Sequence, residues 1–136
     1  MKNLIKVSIV LLLSNFVCNE EVELSILDYS NGQVEIHMQN EGPVSGIQFN
    51  INSTFENFEV NGVNGGSAED AGFTLSSNSS GTIIGFSFTG SFIPEGEGPL
   101  CYIQTASEDD SSGALWLDTA IFADPSGNSY SVDPGE

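Results

Sequence analysis

The stretch that decides the fold is GTIIGFSFTGSFIPEGEGPLCYI, residues 81–103. It opens on an alternation in which Ile84, Phe86 and Phe88 share one face of an extended chain. Ser87 and Thr89 fall on the other face. A period of two is typical of a strand with one buried face, so we predict that the three apolar side chains point into a core.

A rigid corner follows this alternation. Two prolines and two glycines interrupt residues 94–99, Glu95 and Glu97 lie between them, and a second apolar run begins at Leu100. Proline and glycine favour turns, because proline fixes φ and glycine tolerates positive φ. A strand, an acidic corner and a second strand indicate an all-β sandwich in which the chain crosses between sheets.

The rest of the chain repeats this pattern of short strands and turns. The Asn31-Gly32 pair lies between alternating segments and is the strongest short-range signal for a hairpin. Loops or turns are predicted at residues 61–70, 77–81, 107–113 and 124–128. Further strands are predicted at residues 21–29, 33–39, 44–52, 55–60, 71–76, 114–123 (one or two strands) and 129–132. The sequence therefore predicts an all-β, eight- to nine-stranded antiparallel β-sandwich or jelly roll.

Charge is distributed very unevenly. Both cations, Lys2 and Lys6, lie in the first six residues, and all 19 Asp and Glu residues lie at or after Glu20. A domain without Lys or Arg cannot hold phosphates by salt bridges, so we expect no nucleic-acid partner, and an anionic membrane surface is an equally poor partner. The carboxylates keep the protein soluble through a solvated acidic surface, or they share a structural calcium ion.

The N-terminus resembles a secretory leader. A segment with two lysines, residues 1–6, precedes an apolar run at 7–17 that is too short to span a bilayer. We expect residues 1–18 to be a signal peptide, or else a retained apolar segment, and residues 19–136 to form a single β-sandwich domain. Cys18 and Cys101 form a disulfide if cleavage precedes Cys18; otherwise Cys101 is a small buried hydrophobe. We expect a secreted or cell-surface protein, not an integral membrane protein.

Four segments, in their order along the chain, resemble a known family: residues 44–51, 71–76, 84–90 and 93–100. So arranged they are similar to the cohesin-type module of secreted microbial proteins, a nine-stranded jelly-roll sandwich related to carbohydrate-binding modules. The resemblance covers residues 22–132. It implies a non-catalytic module that binds a partner protein or a carbohydrate, and it does not name the partner.

Two motifs predict N-glycosylation, at Asn52 (Asn-Ser-Thr) and Asn78 (Asn-Ser-Ser). Asn52 ranks first from sequence because threonine is usually the better acceptor. The acidic residues Asp109, Asp110 and Asp124 are candidate calcium ligands through oxygen. A solvated loop at Asp109 and Asp110 and an ordinary turn at Asp124 are favoured over a calcium site.

Catalysis is not indicated. Glu95 and Glu97 lie two residues apart on a corner, which is no evidence for two carboxylates facing each other across a sugar. His37 is the only histidine and lacks the clustering of a zinc site, although sequence alone leaves a Cys101–His37 dyad open. Trp116 is the only tryptophan and lies between two leucines, where it caps the core or one sheet face.

Two non-enzymatic hypotheses follow. In the first, the chain is a glycosylated structural subunit of an extracellular assembly, with self-association through strand donation by the N-terminal segment or residues 21–29. In the second, it is a cohesin-like docking module or a carbohydrate-binding module, with another secreted protein or a glycan as its partner. The composition slightly favours the first hypothesis.

Overall fold

A computed structural model of the protein describes residues 21–55, 58–106 and 113–133. Within these ranges the chain forms strands and one short helix. They are β1 Glu21–Ser30, β2 Gln33–Asn40, β3 Gly46–Ser53, β4 Val60–Asn64, α1 Gly66–Asp70, β5 Thr74–Ser77, β6 Thr82–Phe86, β7 Gly96–Thr105, β8 Leu115–Ala123 and β9 Ser131–Asp133.

The strands form two sheets packed face to face. One sheet has five strands in the order β4-β7-β2-β1-β9, and the other has four in the order β5-β6-β3-β8. Every pairing is antiparallel except that of β9, which runs parallel to β1. The predicted eight- to nine-stranded sandwich is therefore confirmed with nine strands in the described ranges, and one parallel edge strand departs from the antiparallel prediction.

The hairpin predicted at Asn31-Gly32 is confirmed. Both residues have positive φ, 54° and 76°, and the turn pairs Ser30 with Gln33. A two-residue turn with positive φ at both positions matches the twist of the flanking strands, and asparagine and glycine reach that region at the lowest cost.

The core lies between the sheets and is apolar. Phe49 on β3 and Phe122 on β8 are fully buried, with ring centroids 6.3 Å apart. Each such side chain contributes on the order of 1.5–3 kcal/mol relative to exposure to water. Other fully buried side chains come from both sheets and include Val22, Val34, Ile36, Met38, Val44, Ile51, Ile83, Leu100, Cys101 and Ile103.

The segment after β3 differs from the sequence prediction. The strand lies at Val60–Asn64 and not at residues 55–60, and the predicted loop at 61–70 contains β4 and α1. β4 pairs only with Tyr102–Thr105 of β7, a contact distant in sequence that local composition does not reveal. The helix is a single turn that buries Ala68 against the core.

The acidic corner is also shorter than predicted, because β7 begins at Gly96. Pro99 lies within this strand, opposite His37 of β2. A proline lacks the N–H needed between two partner strands. Since β4 reaches only Tyr102, residues around Pro99 have one partner strand, and an irregularity in the β2–β7 register lies beside them.

Candidate functional site

The alternation in β6 has the opposite orientation to the prediction. Ile83 is fully buried, whereas Ile84 and Phe86 are 38% and 40% exposed and Phe88, beyond the strand end, is 78% exposed. The prediction that Ile84, Phe86 and Phe88 face the core is therefore wrong. Ile84 and Phe86 of this strand face solvent instead, while Ile83 fills the core.

Packing at Gly85 explains the orientation. Gly85 faces inward with Ile83, and a Cβ there would lie 2.7 Å from Cδ2 of Leu75 and 3.0 Å from Cγ1 of Ile47. The space under β6 is thus filled from β5 and β3, and no side chain as large as phenylalanine fits at this position. Apolar residues occupy both phases of the strand, so periodicity alone did not reveal which phase is buried.

A bulge gives β8 a similar exposed set. Leu117 and Phe122 are both buried although they are five positions apart, an odd spacing that a regular strand would place on opposite faces. The register with β3 shifts between Gln48 and Asn50, and Thr119 adopts a φ of 51°. The extra residue reverses the phase, so Trp116 and Ile121 both face solvent, 42% and 51% exposed.

These side chains lie on the outer surface of the four-stranded sheet, which we call the outer face. Gln48 of β3 is paired with Ile84 on one side and Ile121 on the other, and Asn52 is paired with Trp116. Amide side chains of β3 therefore separate two apolar rows, one on β6 and one on β8. The outer face comprises Ile84 and Phe86 from β6, Gln48, Asn50 and Asn52 from β3, and Trp116, Asp118 and Ile121 from β8.

The loop after β6 extends this apolar surface. The Phe88 ring meets the Phe86 ring edge to face, with centroids 4.9 Å apart. The backbone N–H groups of Thr89 and Ser91 each donate to Ser87 Oγ at 3.0 Å. The hydroxyls of Ser87 and Thr89 are 3.0 Å apart, and that of Ser91 lies 3.2 Å from Thr89 Oγ1. The alternation of Ser87 and Thr89 with the phenylalanines was visible in sequence, but this hydroxyl network was not.

The two glycosylation motifs lie in different environments. Asn78 is exposed at the β5–β6 turn, and its Oδ1 accepts hydrogen bonds from Ser80 Oγ and the Thr82 N–H. Asn52 lies on β3 with its Nδ2 buried and without a hydrogen-bond partner. The nitrogen that would carry a glycan is thus accessible at Asn78 and covered at Asn52, the reverse of the ranking from sequence. Occupancy of either position stays a prediction.

The candidate calcium ligands are not brought together among the described residues. Asp124 Oδ1 accepts the backbone N–H groups of Ser126 and Asn128, both at 2.9 Å, as in an ordinary turn. The bond from Asn128 is the main cause that holds the pKa of Asp124 below its usual value. Asp109 and Asp110 lie outside the described residues. In the described ranges no three His, Cys, Asp or Glu side chains are grouped to hold a metal, and structural calcium stays a prediction.

Cys101 and His37 do not form a dyad. Cys101 is buried in the core, and burial raises the pKa of its thiol to about 12. His37 lies on the outer surface of the same sheet, where its Nε2 is 3.1 Å from a Glu97 carboxylate oxygen. The two side chains thus point to opposite faces. Cys18 lies outside the described residues, so its disulfide with Cys101 stays a prediction.

Comparison with known proteins supports the fold. The sequence matches no protein-family model and no curated protein. The structure is similar to a non-cellulosomal cohesin from the archaeon Archaeoglobus fulgidus, with a TM-score of 0.59 and 22% identity over 85% of both chains. It is also similar to the Coh-OlpA–Doc918 type I cohesin–dockerin complex of Clostridium thermocellum (TM-score 0.60, 15% identity, 85% of this chain and 94% of that chain).

A third similar structure is the cohesin module of a family 33 glycoside hydrolase from Clostridium perfringens, with a TM-score of 0.55, 16% identity and coverage of 85% and 90%. At these identities the likeness establishes the fold. The protein is a cohesin-like, nine-stranded β-sandwich with a partly apolar outer face. No helix in the described part of the chain is long and apolar enough to cross a membrane.

Proposed function

We propose that this protein is a non-catalytic docking module that binds a partner protein through the outer face. The observation that carries the proposal is the pair of exposed apolar rows, with Ile84 and Phe86 on β6 and Trp116 and Ile121 on β8. The side-chain alternation of each strand, set by its pairing with β3, directs these residues to solvent. Contiguous exposed apolar side chains with polar neighbours are typical of protein interaction sites.

The likeness to cohesins supports this proposal, because one of the similar structures is a complex of a cohesin with a dockerin. The docking hypothesis therefore ranks above the structural-subunit hypothesis that the composition favoured. Strand donation by residues 21–29 is less favoured, since β1 pairs with β2 along its length and with β9 at Glu21–Glu23. Donation by the N-terminal segment falls on residues outside the described ranges and stays a prediction.

Secretion is part of the proposal. It is supported by the basic residues confined to the first six positions, by the apolar run that follows them, and by the acidic, cation-free remainder of the chain. A covalent glycan at Asn78 and a structural calcium ion are compatible additions that the docking function does not require.

The test is calorimetric titration of the purified chain with a panel of dockerin modules, including the one from the Clostridium thermocellum complex. We expect saturable binding that Phe86→Ser or Trp116→Ser weakens by about 2 kcal/mol, the size of a hot-spot loss. The control is Leu27→Ser, because Leu27 is an apolar residue on the other sheet that is even more exposed, at 57%, than Phe86 or Trp116.

Binding that survives both outer-face variants would contradict the proposed site. Absence of dockerin binding, together with polysaccharide binding that Trp116→Ser abolishes, would favour the carbohydrate-binding alternative.

A further inference from the structure

Phe88 is the most exposed large apolar side chain in the described part of the chain, at 78%. On a mobile loop, an exposed phenylalanine would have to be ordered at the moment a partner binds, and this ordering costs entropy. Phe88 lies in a loop in which the backbone N–H groups of Thr89 and Ser91 donate to Ser87 Oγ. The hydroxyls of Ser87, Thr89 and Ser91 in this loop are linked in series. Contact with the Phe86 ring fixes Phe88 further. The side chain is therefore held before any partner arrives, which lowers the entropy cost of binding.

Among the described residues, the formal charges at this end of the sandwich are all negative. The loop continues to Ile93, which forms an isolated antiparallel β-bridge with Val44, and Glu95 follows two residues later. Asp124 lies beside the same segment, because its carbonyl oxygen accepts the Ser45 hydroxyl at 2.8 Å. No Lys or Arg occurs after Lys6, and the His37 ring lies on the other sheet against Glu97. Nothing in the described ranges offers a positive charge to an acidic partner.

These charges argue against a second copy as the occupant. Two copies meeting through this end would bring like-charged carboxylates together without a cation on either side, and such an approach is opposed electrostatically. A partner with Lys or Arg around an apolar site would instead be attracted, and its cations would be drawn to the carboxylates of Glu95 and Asp124 at the same end of the sandwich.

On the basis of the docking function proposed above, we propose that Phe88 is a preformed anchor that enters an apolar cavity of the partner, and that Lys or Arg side chains border this cavity. Ser87 is a positioning residue in this arrangement, since it acts on the partner only through the loop. The amide row and the two apolar rows of the outer face then lie beside the anchor and extend the contact.

The chemistry can be tested with simple cavity probes. β-Cyclodextrin has an apolar cavity that admits a phenyl ring, and it can be prepared with an amine-bearing rim or a carboxylate-bearing rim. The purified chain with ¹³C-labelled phenylalanine is titrated with all three by NMR. We expect the amine form to shift the Phe88 ring signals at the lowest concentration, the neutral form to follow, and the carboxylate form to be weakest.

Variants locate the effect. Phe88→Ala should weaken binding of the amine probe on the order of ten-fold, as for a hot-spot residue. Phe92→Ala is the control, since Phe92 is another exposed phenylalanine at the end of the same connection, and it should change binding less than about two-fold. Ser87→Ala should weaken binding while Phe88 is still present and speed hydrogen exchange at the Thr89 and Ser91 amides. Ser87→Thr, which keeps the hydroxyl, should restore both.

Equal binding of the amine and carboxylate probes would overturn the cationic border. Equal losses in Phe88→Ala and Phe92→Ala would overturn the anchor. Either result leaves the docking function standing if dockerin binding is lost in Phe86→Ser, whereas failure of the dockerin titration would overturn the docking function whatever the probes show.

Discussion

Thr119 adopts an unusual conformation for its residue type. Its φ is 51°, in the left-handed region, where a β-branched side chain is a clear outlier. The strain occurs within the bulge that turns both Trp116 and Ile121 outward while Leu117 and Phe122 stay in the core. A conformational cost at this residue therefore maintains one apolar row of the outer face.

Replacing Thr119 by glycine should stabilise the fold. Relief of left-handed strain outweighs the added chain entropy of glycine, so Thr119→Gly is expected to raise the free energy of unfolding by up to about 1 kcal/mol in urea denaturation. The control is Thr74→Gly at an exposed position of β5. This change should lower the free energy of unfolding by about 1 kcal/mol. Equal destabilisation by both changes would contradict the strain at Thr119.

Glycan attachment is also decided at single residues. When the chain is expressed in a eukaryotic secretory host, Asn78→Gln should remove a glycosidase-sensitive band shift on a gel, because the Asn78 side chain is exposed at a turn. Asn52→Gln should leave the shift unchanged, because Nδ2 of Asn52 is buried. A shift that depends on Asn52 alone would show that this side chain turns outward during modification.

At the scale of the element, β6 shows how one strand separates core from surface. Two neighbouring isoleucines have opposite roles: Ile83 is fully buried, and Ile84 is on the outer face. Leu75 and Ile47 pack closely against Gly85, so only glycine fits on the inward face at that position. This packing sets the register in which Ile83 faces the core and Ile84 faces solvent. A shift by one residue would exchange the two sets, so the composition of the outer face depends on this register.

The two isoleucines provide a matched pair of mutations. Ile83→Ala should lower the free energy of unfolding by about 2–5 kcal/mol, since it leaves a cavity in the core. Ile84→Ala should lower it by less than about 1 kcal/mol, since its side chain is already partly in water. Chemical denaturation of both variants measures the difference. If Ile84→Ala were the more damaging, the strand would face the other way.

At the scale of the whole molecule, the dominant feature is charge of one sign. All 19 Asp and Glu residues follow the last Lys. In the described ranges the carboxylates therefore repel one another with no Lys or Arg among them. Self-repulsion weakens the compact state and is screened by salt. The same charge opposes the approach of a second copy and, in the docking function proposed above, favours a partner with a positive surface.

Salt should therefore stabilise the protein. Raising NaCl from about 10 mM to about 500 mM shortens the screening length several-fold, and the melting temperature is expected to rise by several degrees. A melting temperature that falls or stays constant would contradict self-repulsion as the controlling effect. Calcium chloride at matched ionic strength checks the predicted calcium: a further rise indicates a bound ion, and an equal rise indicates screening alone.

The sequence by itself determined the class of the fold, its hairpin and its charge. Short alternating segments between turn residues specify an all-β sandwich, and Asn31-Gly32 specifies its turn by local backbone preference alone. The absence of Lys and Arg after Lys6 is a property of composition. These conclusions hold because each depends on neighbours in the chain.

Only the tertiary structure decided which apolar residues form the site. In β6 apolar residues occur on both faces of the strand, and the packing of Leu75 and Ile47 against Gly85 determines that the face with Ile83 is buried. In β8 a bulge moved Ile121 outward, and the pairing of β4 with β7 placed a strand where composition predicted a loop. Periodicity identifies the buried face of a strand only when the other face is polar. When both faces are apolar, the space and the hydrogen bonds that distant strands provide determine which face is buried.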